Sequence, residues 1–206
     1  MKRTVVLLHG LWMPGVAMHW LARRLEDAGY DTEVFSYMSV ADGPDRAVQA
    51  LVEHIGAREV DLVAHSLGGL IAMQALRQAP HLKVGRLVCI GSPLSGSGAA
   101  SGLLRLPMAA ILLGQSATLL REGFPDWEGA TEVGVVAGNS PHGLGALFAG
   151  FGGEHDGTVA VSETHLPGVK DHVVIPASHS GLLFSAQAAD LTLSFLRSGR
   201  FEGQGA

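Results

Sequence analysis

The chain has 206 residues, of which 47% are hydrophobic and 16% charged, and its formal net charge is −5. This length and composition are typical of one globular domain with a sizeable core, and they exclude an intrinsically disordered chain. The negative balance lacks the basic footprint of a nucleic-acid or anionic-lipid binder, and the single cysteine, Cys89, excludes an internal disulfide.

The amino-terminal residues have one feature of a targeting segment, a basic pair before an apolar run. Lys2 and Arg3 precede an apolar run at residues 5–8, but the run ends at His9, too early for a signal peptide. We therefore predict a first strand here. We expect a cytoplasmic protein with no nucleic-acid partner and no integral membrane segment.

Apolar runs that predict strands alternate along the chain with segments of helical period. Strands are predicted at residues 4–8, 32–37, 60–64, 86–90, 132–137 and 171–175, and helices at about 16–28, 45–55, 67–78 and 187–197. Such alternation is typical of parallel crossover units. We predict a single α/β domain over residues 1–206, a doubly wound and mostly parallel sheet of about six strands with helices on both faces. Its chemistry is expected beyond the carboxyl ends of the strands.

An apolar insert at about 92–130 interrupts the alternation. Its most apolar part, residues 103–113, contains Arg105 and Pro107 and is too short to span a membrane. Two interpretations stay open: a segment that covers the active site, with residues 103–120 as a lid, or a crossover helix followed by a loop. In both cases the segment is expected to shape a pocket.

Ser66 lies between a predicted buried strand and a predicted helix. It stands in the sequence Ala64-His65-Ser66-Leu67-Gly68, which is close to Gly-x-Ser-x-Gly. In that turn the serine occupies a strained strand-to-helix junction with its hydroxyl exposed. We interpret Ser66 as a nucleophile, which needs a nearby base to take its proton and a third group to orient that base.

His179 is the predicted base, because it follows the last predicted strand and should lie at the carboxyl edge of the sheet. Asp156 is the predicted acid, since it lies in a turn that precedes this strand and would orient the imidazole. Glu154 and Asp126 compete for that role, whereas Asp171 begins a strand and should lie at the opposite edge.

Two backbone amides are predicted to stabilise an oxyanion. One is the N–H of Leu67, at the positive end of the predicted helix. The other should come from the loop after the first strand, where we predict Leu11 N–H, with Trp12 as the alternative. We interpret His9 as a residue that holds this loop.

Four motifs in chain order resemble those of the α/β-hydrolase superfamily, and within it the small serine esterases and lipases without a large cap domain. They are His9-Gly10, Ala64-x-Ser66-x-Gly68, Asp156-Gly157 and His179. The resemblance implies Ser66 as nucleophile, Asp156 as acid and His179 as base, with Leu11 and Leu67 as the oxyanion hole. It implies no cofactor and no metal. Ala64 stands where most members have glycine, which adds one methyl group at the turn.

The implied reaction is hydrolysis of carboxylic esters through an acyl-enzyme. Apolar residues expected to bind the substrate are Trp12, Met13, Leu104, Met108 and Leu182. An uncharged pocket favours apolar acyl chains of short to medium length, so the expected partner is a small-molecule ester, lipid-like esters included. Thioester hydrolysis, acyl transfer and amide cleavage are alternatives with the same triad, and a non-catalytic binding scaffold is a third interpretation.

Overall fold

The computed structural model describes residues 2–11, 15–37, 43–97, 116–141 and 153–202. The strands in these ranges are β1 (Thr4–Leu8), β2 (Asp31–Phe35), β3 (Glu59–His65), β4 (Lys83–Ile90), β5 (Glu132–Gly138) and β6 (Asp171–Ile175). They form one sheet in the order β2-β1-β3-β4-β5-β6, and every pair of neighbours is parallel. The predicted fold class, a doubly wound parallel α/β sheet of six strands, is confirmed.

The described helices are α1 (His19–Asp27), α2 (Gly43–Ile55), α3 (Leu67–Gln78), α4 (Ala117–Glu122), α5 (Val161–Thr164) and α6 (Ala186–Ser198). The helix predicted from residue 16 begins as a 3-10 turn over Gly15–Met18 and becomes α-helical at His19. The sequence did not predict α4 and α5, because segments of six and four residues are too short to show a helical period.

The helices cover both faces of the sheet, and β1 shows how the two faces are separated. Val6 and Leu8 contribute to a hydrophobic cluster with α2 and α3, whereas Val5 and Leu7 contribute to a second cluster with α1 and α6. Alternate side chains of a strand point to opposite faces, so each strand supplies both clusters. The continuous apolar run of β1 follows from burial on both sides.

The central strand β3 is buried at every residue after Glu59. Near its carboxyl end Ala64 lies between Leu8 of β1 and Cys89 of β4, with all three in register. The residues that follow these strands therefore meet at one edge of the sheet. Ser66, which follows β3 directly, lies in the middle of that edge.

An ion pair between half-exposed Arg3 and buried Asp61 lies at the amino-terminal part of β3. Asp61 is fully buried, and its Oδ1 accepts hydrogen bonds from the Arg3 guanidinium at 2.8 Å and the Arg86 amide at 2.9 Å. The register between β3 and β4 shifts here, between Val60 and Leu62. The Asp61 side chain thus binds a backbone amide at the irregularity. Burial raises the pKa of Asp61, and the charge of Arg3 opposes that rise.

The described ends of the insert are tied to each other. Ser97 N donates to Leu120 O at 2.8 Å, and Phe124 N donates to Leu94 O at 2.7 Å. Residues 98–115 lie outside the described residues, so the lid at 103–120 and the extent of the domain stay predictions. Within the ranges that are described, no helix combines the length and apolarity needed to cross a bilayer.

Gly134 of β5 offers a test of how α6 packs on the sheet. A Cβ at this position would come within 2.5 Å of the fully buried Phe195 ring. We expect Gly134→Ala to lower the free energy of unfolding, measured in urea, by about 1–3 kcal/mol, because the core is overpacked. Gly153→Ala is the control, since no atom of the described residues lies within 4 Å of a Cβ there, and its change should stay within about 0.5 kcal/mol. Equal stability of the two variants would contradict this packing.

Candidate active site

Ser66 occupies a strained turn between β3 and α3. Its backbone angles are φ 54° and ψ −124°, and among the described non-glycine residues it alone has a positive φ. Such a conformation costs about 1–3 kcal/mol for a residue with a Cβ. The turn is held by Ser66 N, which donates to Ile90 O at the end of β4 at 2.9 Å.

The loop after β1 lies directly against this turn. A Cβ on Gly10 would come 2.9 Å from Ser66 Cβ and 3.4 Å from Ser66 Oγ, so only a glycine fits here without displacing the serine. The close approach packs the loop that leads to Leu11 against the Ser66 turn, and the oxyanion role of the Leu11 amide stays a prediction.

His179 and Asp156 complete a hydrogen-bonded chain with Ser66. His179 Nδ1 lies 2.7 Å from Asp156 Oδ2, and His179 Nε2 lies 3.0 Å from Ser66 Oγ. A carboxylate only accepts, so the ring carries its proton on Nδ1. The lone pair of Nε2 is then free to accept the Ser66 hydroxyl proton. The structure brings together the three side chains that the sequence singled out.

Asp156 is held by its own turn. It is only 1% exposed, and its Oδ1 accepts hydrogen bonds from the amides of Thr158 at 2.9 Å and Val159 at 2.7 Å. These bonds leave Oδ2 for the imidazole of His179. Of the competing acids, Glu154 is exposed, and Asp171 accepts from the Phe201 amide at the amino end of β6. Among the acids of the described ranges, Asp156 is the one that hydrogen-bonds to His179.

Gly91, directly after β4, lies behind the contact between His179 and Asp156. Its φ is 58°, and a Cβ there would lie 3.2 Å from His179 Nδ1 and 3.4 Å from Asp156 Oδ2. A side chain at this position would press on both partners. Sequence reasoning did not assign Gly91 to the site, although a glycine directly after a central strand was a usable signal.

His9 and Tyr37 hold the loop that carries Leu11. His9 Nδ1 donates to Gly10 O at 2.9 Å, and Tyr37 N donates to His9 Nε2 at 3.3 Å. The Tyr37 hydroxyl donates to His9 O at 2.6 Å, and the two rings stack 4.4 Å apart. Burial raises the pKa of Tyr37, so its hydroxyl stays protonated. Since a trans peptide points its N–H opposite to its C=O, the bond to Gly10 O also fixes the direction of Leu11 N–H.

Of the remaining residues predicted from the sequence, two lie within the described ranges and the others do not. Leu67 is the first residue of α3, and the first amides of a helix have no partner within the helix. Leu182 is 1% exposed and lies in the cluster with α6, so its contact with substrate stays a prediction. The other predicted substrate-binding residues and the alternative oxyanion donor lie outside the described residues: Trp12, Met13, Leu104 and Met108.

His65 is a buried neighbour of the site that the sequence did not assign. Its Nε2 donates to His179 O at 3.1 Å, and the centroids of the two rings are 4.7 Å apart. Burial, followed by the charge of His179, lowers the pKa of His65 to about 3. His65 is therefore neutral at physiological pH.

The backbone strain at Ser66 gives a stability prediction. Replacing Ser66 by glycine removes the Cβ that opposes a positive φ, whereas Ser66→Ala keeps it. We expect Ser66→Gly to exceed Ser66→Ala in free energy of unfolding by about 1 kcal/mol, although glycine is the more flexible residue in the unfolded chain. Urea unfolding of both variants measures the difference. An alanine variant as stable as the glycine variant would mean that the turn is unstrained.

Neutral His65 makes the stability of the protein depend on pH. Its pKa is about 3 in the folded protein, against an ordinary value of 6.5. Between these values the unfolded chain binds a proton that the folded chain does not, so the free energy of unfolding rises with pH. This stability is complete above about pH 6.5 and is lost as the pH falls towards 3. One proton corresponds to a slope of about 1.4 kcal/mol per pH unit.

Urea unfolding at about pH 7.5, 6 and 5 measures that slope. His172 contributes with the same sign, because burial lowers its pKa to about 4. His65→Gln cannot titrate, so its slope should be smaller by about one proton. A slope identical to that of the wild type would contradict a neutral, buried His65.

Comparison with known proteins places the chain in a family. A model of the alpha/beta hydrolase fold matches residues 3–132, a range that contains Ser66 and ends before Asp156 and His179. The chain is similar to a lipase of Bacillus licheniformis, with a TM-score of 0.72 and 23% identity over 95% of this chain and 91% of that one. It is similar to a phospholipase of Legionella pneumophila, with a TM-score of 0.70 and 16% identity over 93% of this chain and 56% of that one.

A bromoperoxidase of Bacillus anthracis has the same architecture, with a TM-score of 0.68 and 14% identity over 96% of this chain and 93% of that one. Likeness at these identities shows a common fold, and the named activities belong to those proteins. The family model covers well over half of the chain and includes the turn at Ser66. The chain belongs to the alpha/beta hydrolase fold family.

Proposed function

We propose that the protein is a serine hydrolase that cleaves carboxylic esters of apolar, short-to-medium acyl chains. In this proposal Ser66 is the nucleophile, His179 the general base and Asp156 the group that orients the base. One observation carries it: the hydrogen-bonded chain from Ser66 Oγ through both ring nitrogens of His179 to Asp156 Oδ2. A serine, an imidazole and a carboxylate in this arrangement are what nucleophilic acyl transfer requires.

The reaction begins when Ser66 Oγ attacks the carbonyl carbon of the ester. His179 Nε2 takes the hydroxyl proton over the 3.0 Å contact, and Asp156, 2.7 Å from Nδ1, stabilises the imidazolium that forms. The amides of Leu11 and Leu67 donate to the developing oxyanion. Collapse of the tetrahedral intermediate expels the alcohol, which takes its proton from His179.

Hydrolysis of the acyl-enzyme repeats these steps with water. His179 takes a proton from the water molecule, and the resulting hydroxide attacks the acyl carbon. The second tetrahedral intermediate uses the same two amides. Ser66 leaves with the proton from His179, and the carboxylic acid is released.

The preference for apolar esters is supported by the residues around the triad. Asp156 is buried and fully engaged by His179 and its own turn, so it leaves no free carboxylate for binding a cationic substrate. Leu11, beside the Ser66 turn, packs on the hydrophobic cluster of α2 and α3. A site of this character favours uncharged acyl groups. Two of the structural relatives are named as a lipase and a phospholipase.

A panel of p-nitrophenyl esters and acyl thioesters of graded chain length tests the proposal. We expect turnover of the apolar oxygen esters by the wild type. Ser66→Ala should reduce turnover by about 10⁴-fold or more, because the nucleophile is lost. Asp156→Asn should also reduce it by about 10⁴-fold, because the imidazole tautomer is no longer fixed.

Ser180→Ala is the matched control, since Ser180 is an exposed serine at the same edge of the sheet whose side chain makes no capping bond. Its turnover should equal that of the wild type. Covalent labelling by a fluorophosphonate, read by mass spectrometry, should modify Ser66 and no other serine. Activity that survives in Ser66→Ala would contradict the triad. Turnover of thioesters alone would contradict the proposed preference for oxygen esters and indicate a thioesterase.

A further inference from the structure

We infer that His65 is a positioning residue, which holds the backbone of His179 through a hydrogen bond from its Nε2–H to His179 O and so sets the distance between His179 Nε2 and Ser66 Oγ. This inference rests on the proposed function. It adds His65, the last residue of β3, to the residues that determine the position of His179.

The loop that carries His179 is bound at every polar group of this residue. His179 N donates to Asp156 O at 2.9 Å, and His179 O accepts from His65 at 3.1 Å. The ring nitrogens contact Asp156 and Ser66. Among the hydrogen bonds of the described residues, the one from His65 joins the backbone of the base to β3, the strand whose end carries the nucleophile. It therefore sets the separation of the two reacting residues directly.

The hydrogen bond is made in a rigid, dry environment. His65 is the last residue of β3 and has no exposed surface, and β3 is paired with strands on both sides. Its ring packs on that of His179 at an interplanar angle of 47°. A donor on a central strand moves little, so its hydrogen bond restricts the position of a residue on a loop.

The second nitrogen of His65 argues against a role in packing alone. Within the described residues, the buried Nδ1 has no hydrogen-bond partner, and it faces Gly10, where a Cβ would lie 3.1 Å away. A buried acceptor without a partner is destabilising, and an apolar side chain of similar size would avoid that cost. The hydrogen bond from Nε2 to His179 O therefore explains a histidine at this position better than packing does.

The titratable and charged groups that face His65 are His179, Asp156 and His9. When His179 accepts the Ser66 proton, a charged His65 would repel the new imidazolium at a ring separation of 4.7 Å. A neutral donor holds the base in place without opposing its protonation. Glutamine keeps such a neutral donor, whereas leucine and asparagine do not place one at the same point.

Three variants separate the donor from the packing. His65→Gln reaches the position of Nε2 with an amide N–H, His65→Leu keeps volume without a donor, and His65→Asn is polar but too short to reach His179 O. We expect His65→Leu and His65→Asn to lower kcat by about 10–100-fold with KM changed less than about 3-fold, because misplacing a catalytic group by about 1 Å can cost 10²-fold. His65→Gln should retain kcat within about 5-fold.

A second readout does not depend on turnover. In proton NMR, the hydrogen bond between His179 Nδ1–H and Asp156 should give a low-field signal in the wild type and in His65→Gln, and the signal should be broadened or lost in His65→Asn and His65→Leu. If the wild type turns over no ester, the proposed function fails and this signal still decides the role of His65. Equal losses of kcat and of the signal in the glutamine and asparagine variants would mean that His65 acts through packing alone. Wild-type kcat and signal in the asparagine variant would overturn the inference.

Discussion

The positive φ of Ser66 is the constraint on which the rest of the site depends. A residue with a Cβ holds such an angle only where the flanking structure over-determines it. Here β3 is buried and paired on both sides, the Ser66 amide is bound to Ile90 O, and α3 begins at the next residue. This turn places Ser66 directly beyond the carboxyl end of β3. The groups that contact Ser66 must then come from the loops that follow the neighbouring strands.

That requirement explains the small residues and the buried polar groups around the turn. Gly10 lets the loop after β1 contact the serine, and Gly91 leaves room behind the pair of His179 and Asp156. Two of these polar side chains have fixed partners: Asp156 is bound by two amides and the imidazole, and His9 is bound through both ring nitrogens. A site held in this way needs little reorganisation when charge develops in it.

The sequence predicted the parts of the fold and site that have a local signal. The strand before Ser66, the small residues around it, and the turn at Asp156 are all visible in short segments of the chain. The sequence could not predict the hydrogen bond from Tyr37 to His9 O or the one from His65 to His179 O. These bonds join segments that are distant in the chain, and no local motif marks the side chains that make them. Arg3 illustrates the same limit, since beside Lys2 it resembled the start of a signal peptide, and in the structure it pairs with buried Asp61.

The fold and the site carry different information about function. A bromoperoxidase and a lipase share this architecture with the chain, so the sheet alone does not choose a reaction. The proposed reaction rests instead on the side chains around His179. Asp156 contributes a single buried negative charge to the imidazole, and the second ring against it, His65, is neutral. An imidazolium formed at His179 is therefore stabilised by Asp156, and the histidine that packs against it carries no opposing charge. Proton transfer from a serine hydroxyl requires this balance, and it follows from burying one carboxylate and one neutral histidine on either side of the base.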